Sequence, residues 1–233
     1  MSKDLINKEI DCVIVGDIAT NCWLYPLETE QAGQRSCVVI DPGEEAELII
    51  SRLKNLNWVP AYILLTHGHF DHLAALPDLI EAFAKGAFGQ SPLPKIGIHR
   101  SDSHYTGKDA LAVHRDSFSS IGGNPAYIDA LWKPMPEVDI LFEEGDTAGP
   151  LKVLHIPGHT QGSAAFYDEK TAVLFSGDTL FKGTWGRTDL PGGNEEQLEQ
   201  SLKRLLVMDA DIIVCPGHGA ATKISEEADL LKD

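Results

Sequence analysis

The fold class this sequence predicts is a layered α/β domain made of two sheet-and-helix halves. Three observations predict it. Short apolar runs rich in Val, Ile and Phe alternate with longer stretches of helical periodicity. Their order is strands, helix, strands, helix, with no tandem repeat and no low-complexity block. The chain has 233 residues, 43% hydrophobic and 23% charged, enough to bury a sizeable core without disulfide staples.

The elements follow in order. "CVIV" (12–15), "CWLY" (22–25) and "CVVI" (37–40) read as strands separated by Gly, Asp and Asn turns. "EAELIISRLKNL" (45–56) reads as a helix with Leu48, Ile49, Leu53 and Leu56 on one face. "EEAE" (44–47) reads as its solvated first turn, where negative charge suits the helix dipole. "YILL" (62–65) is a strand. In "HLAALPDLIEAFAK" (72–85), Leu73, Leu76, Ile80 and Phe83 have helical spacing, and Pro77 belongs to the first turn or a kink. "IGIH" (96–99) is a strand. Residues 100–136 are polar and interrupted by Gly122, Gly123, Pro125, Pro134 and Pro136. They read as an irregular or short-helical excursion, not a second domain. "DILF", "LKVLHI", "AAFYD" and "TAVLFS" resume the strands. Asn194 opens a helix (194–208), with Gln197 completing a capping-box pattern and Leu198, Leu202 and Leu205 as the buried stripe. "DIIVC" (211–215) is the last strand. Residues 1–233 are read as a single domain.

Composition excludes some functions. The formal net charge is −16, and an acidic field repels a phosphate backbone, so nucleic acid is not an expected partner. No apolar run approaches the ~20 residues a membrane span needs. The start, "MSKDLINKEI", has no apolar segment typical of a signal peptide, so a cytoplasmic protein is expected. The four cysteines lack C-x₂-C spacing, which argues against a zinc ribbon; Cys12, Cys37 and Cys215 sit in apolar runs as small buried thiols.

The chemistry gathers at strand ends. "THGHFDH" (66–72) follows "YILL" directly and offers His67, His69, Asp71 and His72. Three further apolar runs end in a tight turn and a metal-type donor: "VLHIPG" at His159, "AVLFSG" at Asp178 and "IIVCPG" at His218. Glycine precedes the donor in these three, which lets the backbone turn sharply. His67 and His69 are two apart and point the same way in extended backbone, so they can chelate one cation together. A helical turn after them swings Asp71 and His72 toward a second position. Nitrogen and oxygen donors of this kind suit zinc, and also iron or manganese. Seven donors exceed the need of one tetrahedral ion and match two adjacent divalent ions sharing one carboxylate.

With these residues the chain resembles the metallo-β-lactamase superfamily. "GHTQGS", "FSGDTLF" and "GRTDLPGG" are similar to its glyoxalase II (hydroxyacylglutathione hydrolase) branch, especially the short bacterial type. The likeness runs from about residue 10 to 220. It implies a four-layer αββα sandwich, in agreement with the two halves above. It implies that His67, His69 and His159 hold a first metal, Asp71, His72 and His218 a second, and that Asp178 and a water or hydroxide bridge them. Asp71 and Asp178 are then the catalytic carboxylates. Asp41, in "IDPG", matches the acidic residue beneath the family's metal loop, where it would fix a histidine tautomer or the geometry of the loop. Arg187, in "GTWGR", is a candidate for pinning that loop or contacting an anion. His99 and His155 read as structural histidines, and His104 and His114 as part of a solvated face.

The implied reaction is hydrolysis of a small-molecule thioester such as S-(hydroxyacyl)glutathione by a metal-bound hydroxide. A thiolate leaves with a thiol pKa of roughly 8.5 and needs little protonation, whereas an amide nitrogen needs a proton that no extra general acid here supplies. Two features depart from the branch's pattern, one from its larger enzymes and one from its short ones. The helical C-terminal domain that holds glutathione is not expected here, because the chain stops fifteen residues after His218. Residues 100–136 are longer than the short enzymes lead one to expect, and a lid with Tyr105, Lys108 or His114 near the mouth is one role for them. Two rival readings use the same scaffold. One is an iron-dependent persulfide dioxygenase holding a single iron by His69, His159 and Asp178; the other is a non-catalytic metal-binding module.

Overall fold

The computed structural model describes residues 9–31 and 33–231. Most of the leader stretch "MSKDLINKEI" and the last two residues of the polar tail lie outside the described residues. The first half contributes β1 (Asp11–Val15), β2 (Thr20–Gln31), β3 (Gln34–Ile40), α1 (Ala46–Leu56), β4 (Trp58–Leu64), α2 (Leu76–Ala84), β5 (Lys95–His99), α3 (Ala110–Ser120), α4 (Ala126–Leu131) and β6 (Ile140–Phe142). Its six strands lie in the order β1-β2-β3-β4-β5-β6, antiparallel up to β3 and parallel from β3 onward.

The second half contributes β7 (Thr147–Ala148), β8 (Leu151–His155), β9 (Ala164–Asp168), β10 (Val173–Gly177), β11 (Leu180–Phe181), β12 (Thr184–Trp185), α5 (Glu195–Leu206), β13 (Ile213–Pro216), β14 (Thr222–Lys223) and α6 (Ile224–Glu227). Six of these strands form a second sheet in the order β14-β13-β10-β9-β8-β7, parallel only between β13 and β10, while β11 and β12 make a separate two-stranded ribbon.

Apolar burial explains the layering. Between the sheets, Trp23, Tyr25, Val38, Ile40, Leu64 and Phe142 meet Val153, Phe166, Val173, Phe175 and Cys215. Aromatic contacts cross the gap, with Trp23 and Tyr25 on Phe175 at 6.1 and 5.6 Å between ring centres. The outer face of the first sheet buries α1 and α2 through Ile49, Leu53, Leu76, Leu79 and Phe83. The outer face of the second buries α5 through Leu198, Leu202 and Leu205. Helix, sheet, sheet, helix is the four-layer sandwich. Among the described residues no helix is long and apolar enough to cross a membrane.

Several local expectations need correction. Leu48 is 48% exposed, and Ala46 joins Ile49 and Leu53 on the buried face of α1 instead. "EEAE" is not a free solvated turn: Glu45 caps α1 in left-handed backbone and accepts a hydrogen bond from the Gly16 amide, and Glu44 accepts one from the Tyr127 hydroxyl. Pro77 sits in the first turn of α2, which therefore starts at Leu76 without a kink. The Asn194 side chain caps α5 by accepting from the Gln197 amide at 2.9 Å, but Gln197 turns its own side chain to Gln161. The Asn194 amide donates to Gly158 O instead, so the reciprocal half of the capping box is replaced by a tie to the His159 loop.

Of the two readings of residues 100–136, irregular or short-helical, the second holds. These residues form a 3-10 turn (Arg100–Tyr105) followed by α3 and α4. Tyr105, Ile128 and Met135 bury themselves in the same cluster as α1 and α2, so the stretch thickens the first helical layer and has no core of its own. His114 is buried, not solvated, and its Nε2 lies 2.9 Å from the Tyr105 carbonyl. Cys22, Cys37 and Cys215 are buried free thiols; Cys12 is only half-buried, and burial pushes it up to about 12.

Candidate metal centre

The donors come from strand ends at one edge of the sandwich. After β4 the chain leaves the sheet through Thr66 and His67, and a 3-10 turn (Phe70–His72) begins one residue beyond His69. His67 and His69 stand edge to face at 4.8 Å, and the turn sets His72 on another side of His67, with ring centres 4.2 Å apart and His72 Nε2 3.1 Å from Asp71 Oδ2. From the second sheet, His159 follows β8, Asp178 follows β10 and His218 follows β13. Gly158 has φ +136°, and a β-carbon there would collide with the Leu198 backbone, so only glycine lets the His159 loop pass under α5. Gly177, with φ +51° against the Thr66 side chain, does the same for Asp178.

Two trios of donors result. His67, His69 and His159 each offer a ring nitrogen within 4.8 Å of the others, as do Asp71, His72 and His218 with their nearest atoms. His69 Nδ1 and His159 Nε2 are 2.8 Å apart; His72 Nε2 and His218 Nε2 are 3.3 Å apart. Asp178 stands between the trios, with Oδ1 3.4 Å from His72 Nε2 and Oδ2 3.5 Å from His218 Nε2 and 3.7 Å from His159 Nε2. His67 Nε2, His69 Nε2 and Asp178 Oδ1 are buried without a hydrogen-bond partner. Buried polar atoms are otherwise almost always paired; His67 turns its Nδ1 to the Thr66 hydroxyl at 3.1 Å, so its unpaired Nε2 and the unpaired Asp178 Oδ1 suit a cation site, while His69 faces His159 with Nδ1. The donor set, imidazole with carboxylate, fits a pair of divalent cations.

The electrostatics agree. Burial pushes His67 well below its usual range, and neighbouring imidazoles push the same way. Burial and then His159 lower His69 to about 3, which leaves its lone pair free to coordinate. Burial works against ionising Asp71 and Asp178, yet His72 and its companions hold both carboxyls below their usual range. His72 and His218 are raised, against their own burial, by Asp71 and Asp178. The protons on these two rings do what a cation would do, so ion uptake releases protons.

Buried groups behind the donors fix their geometry. Asp41 accepts from the Thr66 amide at 2.7 Å and the Thr66 hydroxyl at 2.6 Å, and its Oδ2 lies 3.0 Å from His72 Nδ1. This leaves His72 Nε2 facing the site. Asp41 also lies close enough to His67 and His72 to form a third donor group, but its oxygens are already engaged, which marks it as a brace. His159 Nδ1 lies 2.7 Å from the Arg187 carbonyl. Arg187 thus touches the site through its main chain, while its guanidinium pairs with Asp189 at 2.6 and 2.7 Å. His218 Nδ1 lies 3.2 Å from the Ile18 carbonyl, and the Thr20 hydroxyl donates to Asp71 at 3.2 Å.

Of the expected lid residues, Tyr105 stands edge-on to His69 at 5.9 Å and His114 lies behind it. Lys108 is exposed, and nothing places it against the donors. His99 and His155 stack at 4.0 Å away from the donors, as structural residues would. Sequence reasoning missed Thr66, Thr20 and Asp102. Thr66 sits inside the quoted motif and could have been found; Asp102, in a polar stretch, carries no local signal.

Comparison with known proteins agrees with this geometry. A family model described as the metallo-beta-lactamase superfamily matches residues 15–218. The chain is similar to an uncharacterized protein of Aquifex aeolicus, 40% identical over 223 residues that cover 94% of this chain and 93% of the relative. It is similar to the hydroxyacylglutathione hydrolase GloC of Haemophilus influenzae, 34% identical over 195 residues that cover 83% and 85%. Among solved structures it resembles TTHA1623 in a di-iron-bound form, with TM-score 0.73, 35% identity and 94% and 96% coverage. The BLEG-1 B3 metallo-beta-lactamase gives the same TM-score and coverage at 32% identity.

Proposed function

This chain belongs to the metallo-beta-lactamase superfamily as a metal-dependent hydrolase, and from that premise we propose that it cleaves small thioesters such as S-(hydroxyacyl)glutathione. The observation that carries the proposal is the pair of donor trios facing each other across Asp178. His67, His69 and His159 would hold one ion, Asp71, His72 and His218 the other, and Asp178 would contact both. When bound, two divalent ions acidify a water toward pKa ~7 and draw charge from a carbonyl oxygen. Zinc suits the donors best, and iron or manganese also suit them.

The chain's own residues bear on the leaving group. Asp71 is held ionised by His72 and His218 despite burial, so it is a poor source of a proton at neutral pH. Burial and neighbours empty His67 and His69 of protons as well. Ion uptake would displace the protons of His72 and His218 as well, so a leaving group that departs without protonation matches such a site, and a thiolate is one. The relative named for hydroxyacylglutathione hydrolysis supports the same reading. A small-molecule thioester is therefore the proposed partner, acted on in the cytoplasm.

The test is elemental analysis of the purified protein together with turnover of S-lactoylglutathione, a β-lactam and glutathione persulfide. The expected result is about two metal ions per chain and thioester hydrolysis that Asp178→Asn lowers by ~10²-fold or more. Oxygen consumption with the persulfide, or β-lactam cleavage with no thioester turnover, overturns the substrate assignment.

A further inference from the structure

Asp102 lies in the 3-10 turn that follows β5, is fully buried, and is none of the metal donors. Three hydrogen bonds converge on its carboxylate from two separate loops. The Gly68 amide donates to Oδ2 at 2.9 Å, the Thr160 hydroxyl to Oδ2 at 2.7 Å, and the Gly162 amide to Oδ1 at 2.7 Å. Gly68 is the residue between His67 and His69, and Thr160 is the residue after His159. One carboxylate from the first half of the fold therefore ties the loop that carries two histidines of the first trio to the loop that carries the third.

Isolated burial of a carboxylate is costly, and a chain that needed only filler here would use an apolar side chain. The tightness around it shows that the position is specified. A β-carbon on Gly162 would overlap Asp102, and one on Gly68 would overlap the Tyr105 ring, three residues along the same turn. Asp41 is the counterpart on the other side, engaging Thr66 and His72. Asp102 has no hydrogen bond to Asp71, His72 or the His218 loop among the described residues; within the 66–72 loop it holds only the Gly68 amide.

We propose that Asp102 is a positioning residue for the first metal position alone, setting His69 against His159 by bracing Gly68, Thr160 and Gly162. The proposal rests on the metal-centre reading above. It makes the first ion site tunable through Asp102, whereas Asp41, which reaches His72 directly and His67 through the Thr66 hydroxyl, bears on both positions.

The experiment is zinc titration of chelator-stripped protein against a competing indicator, with histidine ring signals followed by NMR to identify which site fills at each step. In Asp102→Asn an amide keeps at most two of the three bonds and turns an N–H donor toward the Gly162 amide. The expected result is a roughly 10- to 100-fold weaker step, the one in which His69 and His159 shift, with the His218 step within about twofold of the parent. Thr160→Ser keeps the hydroxyl and should titrate as the parent does, whereas Thr160→Val should weaken the same single step. This pair decides the matter if Asp102→Asn does not fold. Equal weakening of both steps, or no change in a folded variant, overturns the proposal, because a general structural role predicts the first and no role the second. A parent protein that takes up no zinc overturns the metal-centre reading itself, and this inference with it.

Discussion

Gly68 shows how little room the site leaves. The residue separates two histidines, and its missing side chain is where the Tyr105 ring sits. Gly68→Ala should lower stability by about 1–3 kcal/mol through overpacking and deplete the bound metal, as read by urea unfolding and elemental analysis. Adding Tyr105→Ala should restore part of both losses; a single variant with parental metal content would refute the tight-packing account. At this scale the gathering of the seven side chains was legible, because His67, His159, Asp178 and His218 each end an apolar run and His69, Asp71 and His72 share the loop of His67. Asp102 was not legible. Its partners lie 34, 58 and 60 residues away, and nothing in "HRSDSHYTG" announces them. Arg187 was legible as a position, but not for the reason it matters: its carbonyl, common to every residue type, contacts His159, while its guanidinium is engaged with Asp189.

Individual elements depend on local chemistry that can be removed one group at a time. Asn194→Ala deletes the side-chain cap of α5 and should cost about 1 kcal/mol in a urea midpoint measurement, with Asn194→Ser close to the parent. In α3, burial lowers the His114 imidazole to about 4, against an ordinary 6.5. The unfolded chain therefore binds this proton at a higher pH than the folded one. The resulting stability is complete above about pH 6.5 and is lost as pH falls toward 4, on the order of 3 kcal/mol in all. His114→Gln should flatten the fall in that window when stability of parent and variant is compared; parallel curves would remove His114 as the cause. Apolar periodicity revealed α1, α2 and α5 in outline. It misjudged Leu48 because leucine fits the exposed flank of a helix as well as its buried stripe. It left the choice between irregular and short-helical open for residues 100–136 and gave α3 and α4 no bounds, because their polar, proline-bounded segments gain order from packing on α1 and α2, which no window of sequence displays.

At the scale of the whole molecule, the alternation of strand and helix revealed the layers, and the two halves met as expected. What it could not reveal was strand order, since β13 inserts between β10 and β14 and lies parallel to β10 through contacts some forty residues apart. Both halves supply donors, so bound ions should stabilise the folded chain against heat. At free ion 100 to 1,000 times Kd the gain is about 3–4 kcal/mol, or very roughly 5–15 °C in Tm for a chain of this size, lost on chelation. Asp178→Asn should shrink that difference, and a Tm indifferent to chelator would contradict a shared centre. The division of labour has a further effect on how the protein comes into being. His67, His69, Asp71 and His72 belong to one leaf, and His159, Asp178 and His218 to the other. Neither leaf by itself owns a full set of three for either position, so a half-made chain has no finished cage to offer a passing cation. On the metal-centre reading, closing of the two leaves would come before loading, and bound ions would in turn pin the seam between them.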